Sequence, residues 1–400
     1  MELSDLRTRP NALAAHYSRF RVSDRLLLTG HSHQAWPDVA EKGMQDAWRD
    51  AADLVDQKWD EAFARADRVR RGYARLLGEG DGGAGRIALG DSTHTLLVRL
   101  LSALPLRRRP VLVTTEGEFF TIRRQMDRLE EEGLRIVRVP LRPHEDIAER
   151  LAAAVDDRCS LVMVSSVLFE SARIVRGIDR VMSACRKKGA ELLVDAYHHL
   201  GVLPFSTAGL GLEDAFIVGG GYKYCQLGEG NAFLRFPEGR EFRPVVTGWF
   251  AEFSTLSRSR GTERLSYEKG PGRFAGATYD PVSHYRASEV FDFFLRNDLR
   301  AGFLRRVSRH QIGLLARAFD DLDLDPRLVR RDRDTPLEEI AGFLVLRSPR
   351  ASEISDRLRE RGVLTDSRGE ALRLGPAPYL DDEQLREGIR LLGEVATGLR

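Results

Sequence analysis

An aspartate and a lysine, each at the end of a short apolar run, are the residues of this chain best placed to do chemistry. Leu192-Leu193-Val194 ends in Asp195, and Phe216-Ile217-Val218 leads through Gly219, Gly220 and Gly221 into Tyr222-Lys223-Tyr224. Short apolar runs bounded by turn residues read as buried strands of a parallel sheet. Ligands of open α/β sheets bind beyond the carboxyl ends of such strands. A carboxylate and a lysine at two strand ends suit pyridoxal 5′-phosphate (PLP). The lysine takes the aldehyde as a Schiff base, and the carboxylate keeps the pyridinium nitrogen protonated so that the ring draws electrons. Alone, Asp195 reads as a helix N-cap and Lys223 as a solvated surface lysine. The combination Asp-x-x-His, from Asp195 to His198, followed by Gly-Gly-Gly-Tyr-Lys-Tyr, points to PLP. The three glycines are expected to let the backbone pass close to the ring and phosphate.

Further candidates lie upstream and downstream. Asp91-Ser92-Thr93-His94 opens an apolar helix read over 95–104. Ser92 and Thr93 suit helix capping, and the same hydroxyls with free N–H groups make a phosphate cup. Phe119 follows the strand read at 111–114, where it either stacks on a ring or joins the core. His31 and His33 sit at i and i+2 in a loop without carboxylate or cysteine at a supporting spacing, so no metal site is expected. That loop reads as substrate-facing or as plain structure. Arg373 enters a Pro-rich turn, where it either faces solvent or clamps a substrate carboxylate through two hydrogen bonds. Cys225 lies near Lys223 but reads as a small packed residue.

The elements that must position these residues follow from periodicity. One helical pattern runs from Pro37 to about Leu77. Strands and helices then alternate from Arg86 to Phe236: strands at 135–139 and 161–166, helices at 122–132, 147–155 and 178–188, the last stopped by Gly189. This rhythm means βαβ units and a parallel sheet. After Phe236 the rhythm breaks, and Val245–Phe250 and Gly270–Tyr279 read as long functional loops. Helices at 287–297 and 303–320 lead into a last α+β unit: strand 342–346, helix 352–361, strand 371–374, helix 382–399. The 62 basic and 60 acidic residues balance, so charge makes no case for nucleic acid or membrane. No apolar run reaches membrane-spanning length. The start MELSDLRTRP lacks a signal peptide's apolar core, and the three cysteines outline no disulfide framework, so a cytoplasmic setting is expected.

These residues resemble the kynureninase-like members of the fold-type I (aspartate aminotransferase-like, class V) PLP enzymes. The resemblance rests on Asp195-Ala196-Tyr197-His198, Gly221-Tyr222-Lys223-Tyr224, Thr247-Gly248-Trp249 and Arg373 with Pro376. It implies an α/β fold: a mostly parallel central sheet flanked by helices, with a smaller α+β C-terminal domain. Segment 1–50 would pack with the small domain and the active site, 51–290 would form the large PLP-binding domain, and 291–400 the small one. Lys223, Asp195 and Tyr222 would be catalytic. Ser92, Thr93 and Tyr222 would hold the phosphate, Phe119 would stack on the ring, and His198 would sit by the phenolic oxygen. Trp249 and Thr278 would reach the phosphate from the partner subunit of a homodimer. Arg373 would hold the substrate carboxylate, with His31 and His33 on the substrate side.

The substrate shell departs from that family. The usual Phe-Pro-Thr-Asp is Phe119-Phe120-Thr121-Ile122, the usual His-Val-Asn-Tyr-Arg loop is Ser166-Val167-Leu168-Phe169-Glu170, and the histidine expected after Gly-Trp is absent from Phe250-Ala251-Glu252. A related enzyme with altered specificity is therefore expected, acting on an α-amino acid through a Cα carbanion. Kynureninase-like Cβ–Cγ cleavage or lyase chemistry comes first and a class V aminotransferase second. A non-catalytic PLP-fold binding protein is the reading of another class.

Overall fold

The computed structural model describes residues 1–255 and 264–399. A short helix, α1 (Leu3–Arg7), precedes a two-residue strand, β1 (Leu26–Leu27), and two long helices, α2 (Val39–Leu54) and α3 (Lys58–Leu76). Strand and helix then alternate as β2 (Ile87–Gly90), α4 (Thr93–Ala103), β3 (Val111–Thr115), α5 (Phe120–Glu131), β4 (Arg135–Val139), α6 (Ile147–Ala153), β5 (Cys159–Ser165), α7 (Ile178–Lys188) and β6 (Glu191–Asp195). Two strands without an intervening helix follow, β7 (Phe216–Gly220) and β8 (Ala232–Arg235). The C-terminal part contains α8 (Val282–Arg296), α9 (Ala301–Asp320), β9 (Arg330–Arg331), β10 (Leu344–Arg347), α10 (Ala351–Glu360), β11 (Val363–Leu364), β12 (Asp366–Arg368), β13 (Ala371–Leu374) and α11 (Asp382–Thr397).

The central sheet has the order β2-β8-β7-β6-β5-β3-β4. Its pairs are parallel from β4 to β7, while β8 runs against both β7 and β2. Every residue of β3, β5 and β7 is buried, as expected for strands with both faces covered. The expected mostly parallel α/β architecture is therefore present, with β8 as an antiparallel insertion. Thr115, Ser165, Asp195 and Gly220 end their strands on the same edge, and Ser165 pairs in register with Asp195. The flanking helices bury one stripe each: α4 hides Leu96, Leu97, Leu100 and Leu101, and α7 hides Ile178, Val181, Met182 and Cys185. Gly189 stops α7 in the left-handed region, at φ +64°. A four-stranded antiparallel sheet, β12-β13-β10-β9, forms the C-terminal layer. The N-terminal segment reaches the C-terminal part through β1, which pairs in parallel with β11 as a separate two-stranded sheet.

Three expectations change. The helical pattern from Pro37 to Leu77 is two helices, broken where Val55 takes φ +53°. The C-terminal unit carries a hairpin, β12 and β13, in place of a single strand at 371–374. The glycines of the 219–221 run make room for the chain's own side chains. A Cβ on Gly220 would lie 2.4 Å from the Tyr197 hydroxyl, one on Gly221 2.6 Å from Leu227 and one on Gly219 2.9 Å from Phe233. Among the described residues, no helix is long and apolar enough to cross a membrane, and no three His, Cys, Asp or Glu residues group to hold a metal ion.

Helix α8 passes so close to α2 that only glycine fits at position 43. A Cβ there would lie 2.7 Å from the Tyr285 carbonyl oxygen and 2.9 Å from the Arg286 Cα. Alanine in a helix interior is ordinarily better than glycine by about 1 kcal/mol. Here the clash is with backbone, so Gly43→Ala is expected to destabilise the protein by about 1–3 kcal/mol in urea unfolding. A gain in stability would mean that the two helices separate without cost.

Candidate active site

A cavity of about 350 Å³ opens beyond the carboxyl ends of β5, β6 and β7. Ser92 and Thr93 line it from the start of α4, Phe119 from the turn after β3, Phe169 from the loop after β5, Asp195 from the end of β6, and Tyr197 and His198 from the turn after it. Tyr222 and Lys223 complete the wall. The residues singled out for cofactor binding on this chain's own side thus meet in one place, because each directly follows a strand of the same sheet.

The loop that carries Lys223 is tied down on all sides. Gln226 N–H donates to the Lys223 carbonyl at 3.1 Å and Leu227 N–H to Gly221 at 2.9 Å. Gln34, from the N-terminal segment, accepts from the Gln226 amide at 2.7 Å, and Tyr17 donates to the same side chain. Arg286 of α8 donates Nε–H to the Leu227 carbonyl at 2.7 Å. Gln226 itself sits at φ +59°, a conformation that costs a non-glycine residue and is held by these bonds.

Lys223 is 6% exposed. Its Nζ donates to His198 Nε2 at 2.7 Å and lies 4.6, 5.4 and 5.8 Å from the ring centres of Tyr197, Phe119 and Tyr222. Burial pushes the amine down to about 7, against the pull of Asp195. Burial, with Lys223 second, pushes His198 well below its ordinary value. His198 Nδ1 is buried without a partner. Asp195 accepts from the Tyr197 N–H at 2.8 Å, and burial pushes its carboxyl up. Ser92 caps α4, accepting from the Thr95 N–H at 3.2 Å, so the capping role is real, and Ser92, Thr93 and His94 at that helix start line the cavity.

Other expected residues lie elsewhere. His31 is fully buried, its Nε2 3.1 Å from Asp366 Oδ1, and is no part of the cavity wall. Burial pushes it down to about 4. His33 is exposed at the rim, stacked on Tyr222 at 4.9 Å. Arg373 is buried behind Phe169, its guanidinium bound to Asp366 at 2.7 and 2.6 Å and to the Phe169 carbonyl at 2.7 Å. Trp249 is 44% exposed, Thr278 is exposed, and neither lines the cavity. The two loops that carry them pack together, with Phe250 N–H donating to Gly276 at 3.0 Å. Cys225 is buried outside the wall, and burial pushes its thiol up to about 12.

Two carboxylates escaped the sequence reading. Glu118 is 3% exposed and accepts from the Thr115 hydroxyl at 2.7 Å, the Ser165 hydroxyl at 2.6 Å and the Ser165 N–H at 3.2 Å. Burial outweighs these bonds and pushes it up to about 7. Its signal was a polar residue directly before Phe119 at a strand end. Asp366 pairs across the hairpin with Arg373, and its signal was an opposite charge seven residues upstream across a Gly-containing turn.

Comparisons with known proteins bear on the fold. No family model matches the chain. An uncharacterized aminotransferase of Bacillus subtilis (strain 168) is 23% identical over 378 residues, 91% of this chain and 92% of that protein. A kynureninase of Geobacillus thermodenitrificans (strain NG80-2) is 23% identical over 253 residues, 62% of this chain and 57% of its own length. Among solved structures, a C-DES mutant with glycine covalently linked to its PLP cofactor superposes with a TM-score of 0.81 at 15% identity, over 95% of this chain and 98% of that one. The fold is thus the fold-type I architecture. The residues present also fit PLP: a buried lysine near neutrality, a carboxylate at the next strand end, an unpartnered His198 Nδ1 and a helix N-terminus on one cavity.

The depressed Lys223 makes stability depend on pH. Its folded value of about 7 lies below the ordinary 10.5, so between these values the unfolded chain holds a proton that the folded one lacks. Stability from this group therefore rises with pH across that window. In urea unfolding of cofactor-free protein, the wild type is expected to gain on Lys223→Met from pH 7 to 10.5. A difference that stays flat would show that Lys223 is not desolvated.

Proposed function

We propose that this fold-type I chain is a PLP-dependent enzyme that removes the α-proton of an amino-acid substrate. The observation that carries the reading is Lys223: buried, hydrogen-bonded to His198, held near neutrality, at the strand end beside Asp195. When bound, PLP supplies an aldehyde to the lysine and an electron-withdrawing ring that stabilises negative charge at Cα.

The chain's own residues do the rest. Asp195, oriented by the Tyr197 N–H, holds the proton of the pyridine nitrogen. Ser92, Thr93 and the first turn of α4 bind the phosphate. Phe119 and His198 line the same cavity, where Phe119 would stack on the ring and His198, its Nδ1 unpartnered, would sit by the phenolic oxygen. Lys223 would be the base toward the substrate's α-proton. An amine near neutrality is free to accept the proton at physiological pH, which a solvated lysine is not. The aromatic rings around Nζ keep water from competing for it. Arg373, buried behind Phe169, would read the substrate carboxylate with the N–H groups that Asp366 and Phe169 leave free. The working unit is a homodimer in which exposed Trp249 and Thr278 serve the neighbouring copy's phosphate.

Transamination is the first exit. It asks only that Lys223 carry a proton from one carbon to another, and the relative matched over nine-tenths of the chain is named an aminotransferase. Kynureninase-like side-chain cleavage is the second. It asks for a further proton-handling group, and Tyr222, stacked between the rim histidine His33 and the Lys223 amine, supplies one.

Purified protein mixed with PLP is expected to develop a visible absorption band that Lys223→Ala lacks. Amino acids are expected to convert the cofactor to its amine form, releasing the oxo acid. Anthranilate released from L-kynurenine would instead establish the cleavage exit. A protein that stays colourless with PLP would sink the enzyme reading.

A further inference from the structure

The arginine expected to read a carboxylate already holds one. Asp366 and Arg373 face each other across the β12–β13 hairpin. Arg373 Nε donates to Asp366 Oδ1 at 2.7 Å and Nη2 to Oδ2 at 2.6 Å, so one edge of the planar guanidinium is fully engaged. Nη1 donates to the Phe169 carbonyl at 2.7 Å. Arg373 is 4% exposed. His31 Nε2 supports the same carboxylate at 3.1 Å, and Arg368 lies 3.4 Å from it. Burial would raise Asp366, but the bonds from His31 and Arg373 hold it well below the usual carboxylate range. The pair is therefore ionised on both sides, while His31 is neutral. It sits one aromatic layer behind the reaction wall, since Phe343 packs against Arg373, His31 and the His198 that binds Lys223.

We infer that Asp366 is a specificity-determining residue: as the resident counter-ion of Arg373, it reduces what a substrate α-carboxylate gains at this site. The inference rests on the reading of the cavity as a PLP–amine site. The reason is charge balance. A buried arginine that meets its first carboxylate on substrate binding rewards that carboxylate strongly, by about thirtyfold to several thousandfold. Here the positive charge is matched before the substrate arrives. An incoming carboxylate finds one remaining N–H on each of Nη1 and Nη2 and a neighbouring negative charge that repels it. Amines that lack an α-carboxylate lose correspondingly little.

The test titrates PLP-loaded protein with matched pairs, L-alanine against ethylamine and L-phenylalanine against phenethylamine, and reads Kd from the shift of the cofactor band. Wild-type protein is expected to favour the amino acid of each pair by tenfold or less. Asp366→Asn keeps one hydrogen-bond acceptor but removes the charge, and is expected to raise that preference at least tenfold by tightening the amino acid alone. A wild-type preference above tenfold, or an unchanged preference in Asp366→Asn, overturns the inference. Should Asp366→Asn fail to fold, the wild-type ratio alone decides. A band that never forms, or that none of the four probes shifts in either protein, overturns the amine-site reading itself.

Discussion

Keeping Lys223 out of water is the constraint around which the rest of the chain is arranged. A lysine in an apolar cage has two ways to be tolerated: a close counter-ion or loss of its proton. Here Asp195 pulls one way and burial the other, and burial wins, leaving an amine that donates to His198. Holding it there takes a loop that cannot relax. Gln34 and Tyr17 grip it from the N-terminal segment, Arg286 from α8, and Asn231 closes it at β8, where its carbonyl accepts from Tyr73 at 2.8 Å. The close approach of α2 to α8 serves the same end, because it fixes the helix that carries Arg286.

What was legible in the sequence was what is local. The strand at 135–139 and the helix at 178–188 match residue for residue, since each has a clean period and a clear stop. Asp195, Lys223, Tyr222, Phe119, Ser92 and Thr93 all directly follow strands of one sheet, so reading the strands was enough to bring them together. The break at Val55 was hidden because the helical pattern continues on both sides and valine is no breaker in itself. The β12 strand was hidden because three polar residues, Asp366 to Arg368, carry no periodicity. The glycines at 219–221 were a subtler miss. Their type was rightly taken as a demand for space, but the space goes to Tyr197, Leu227 and Phe233.

The residues behind the cavity wall were beyond sequence reasoning for a different reason. Glu118 matters through Ser165, 47 residues on, and His31 through Asp366, 335 residues on. Neither spacing has a pattern to find. Only the fold shows that the loop after β1 and the β12–β13 hairpin lie together, because β1 pairs with β11. His31 therefore belongs to the machinery behind the wall, while His33, two residues away, reaches the rim.

Burial acts on the cavity's ionisable groups in one direction, toward neutrality. It raises Asp195 and Glu118 and lowers Lys223 and His198. Asp366 goes the other way, because the bonds from His31 and Arg373 outweigh its burial and favour its charge. The result is two layers with separate duties. In front is a chamber whose Asp195, Lys223 and His198 are each pushed by burial toward their neutral forms. Behind it, across Phe169 and Phe343, is a fixed ion pair whose field is already balanced. An unmatched Arg373 in that position would depress Lys223 further, since the arginine charge already pushes the amine down and Asp366 pushes it up. The counter-ion thus keeps the base usable, and reduced reading of a carboxylate is the consequence of protecting the lysine.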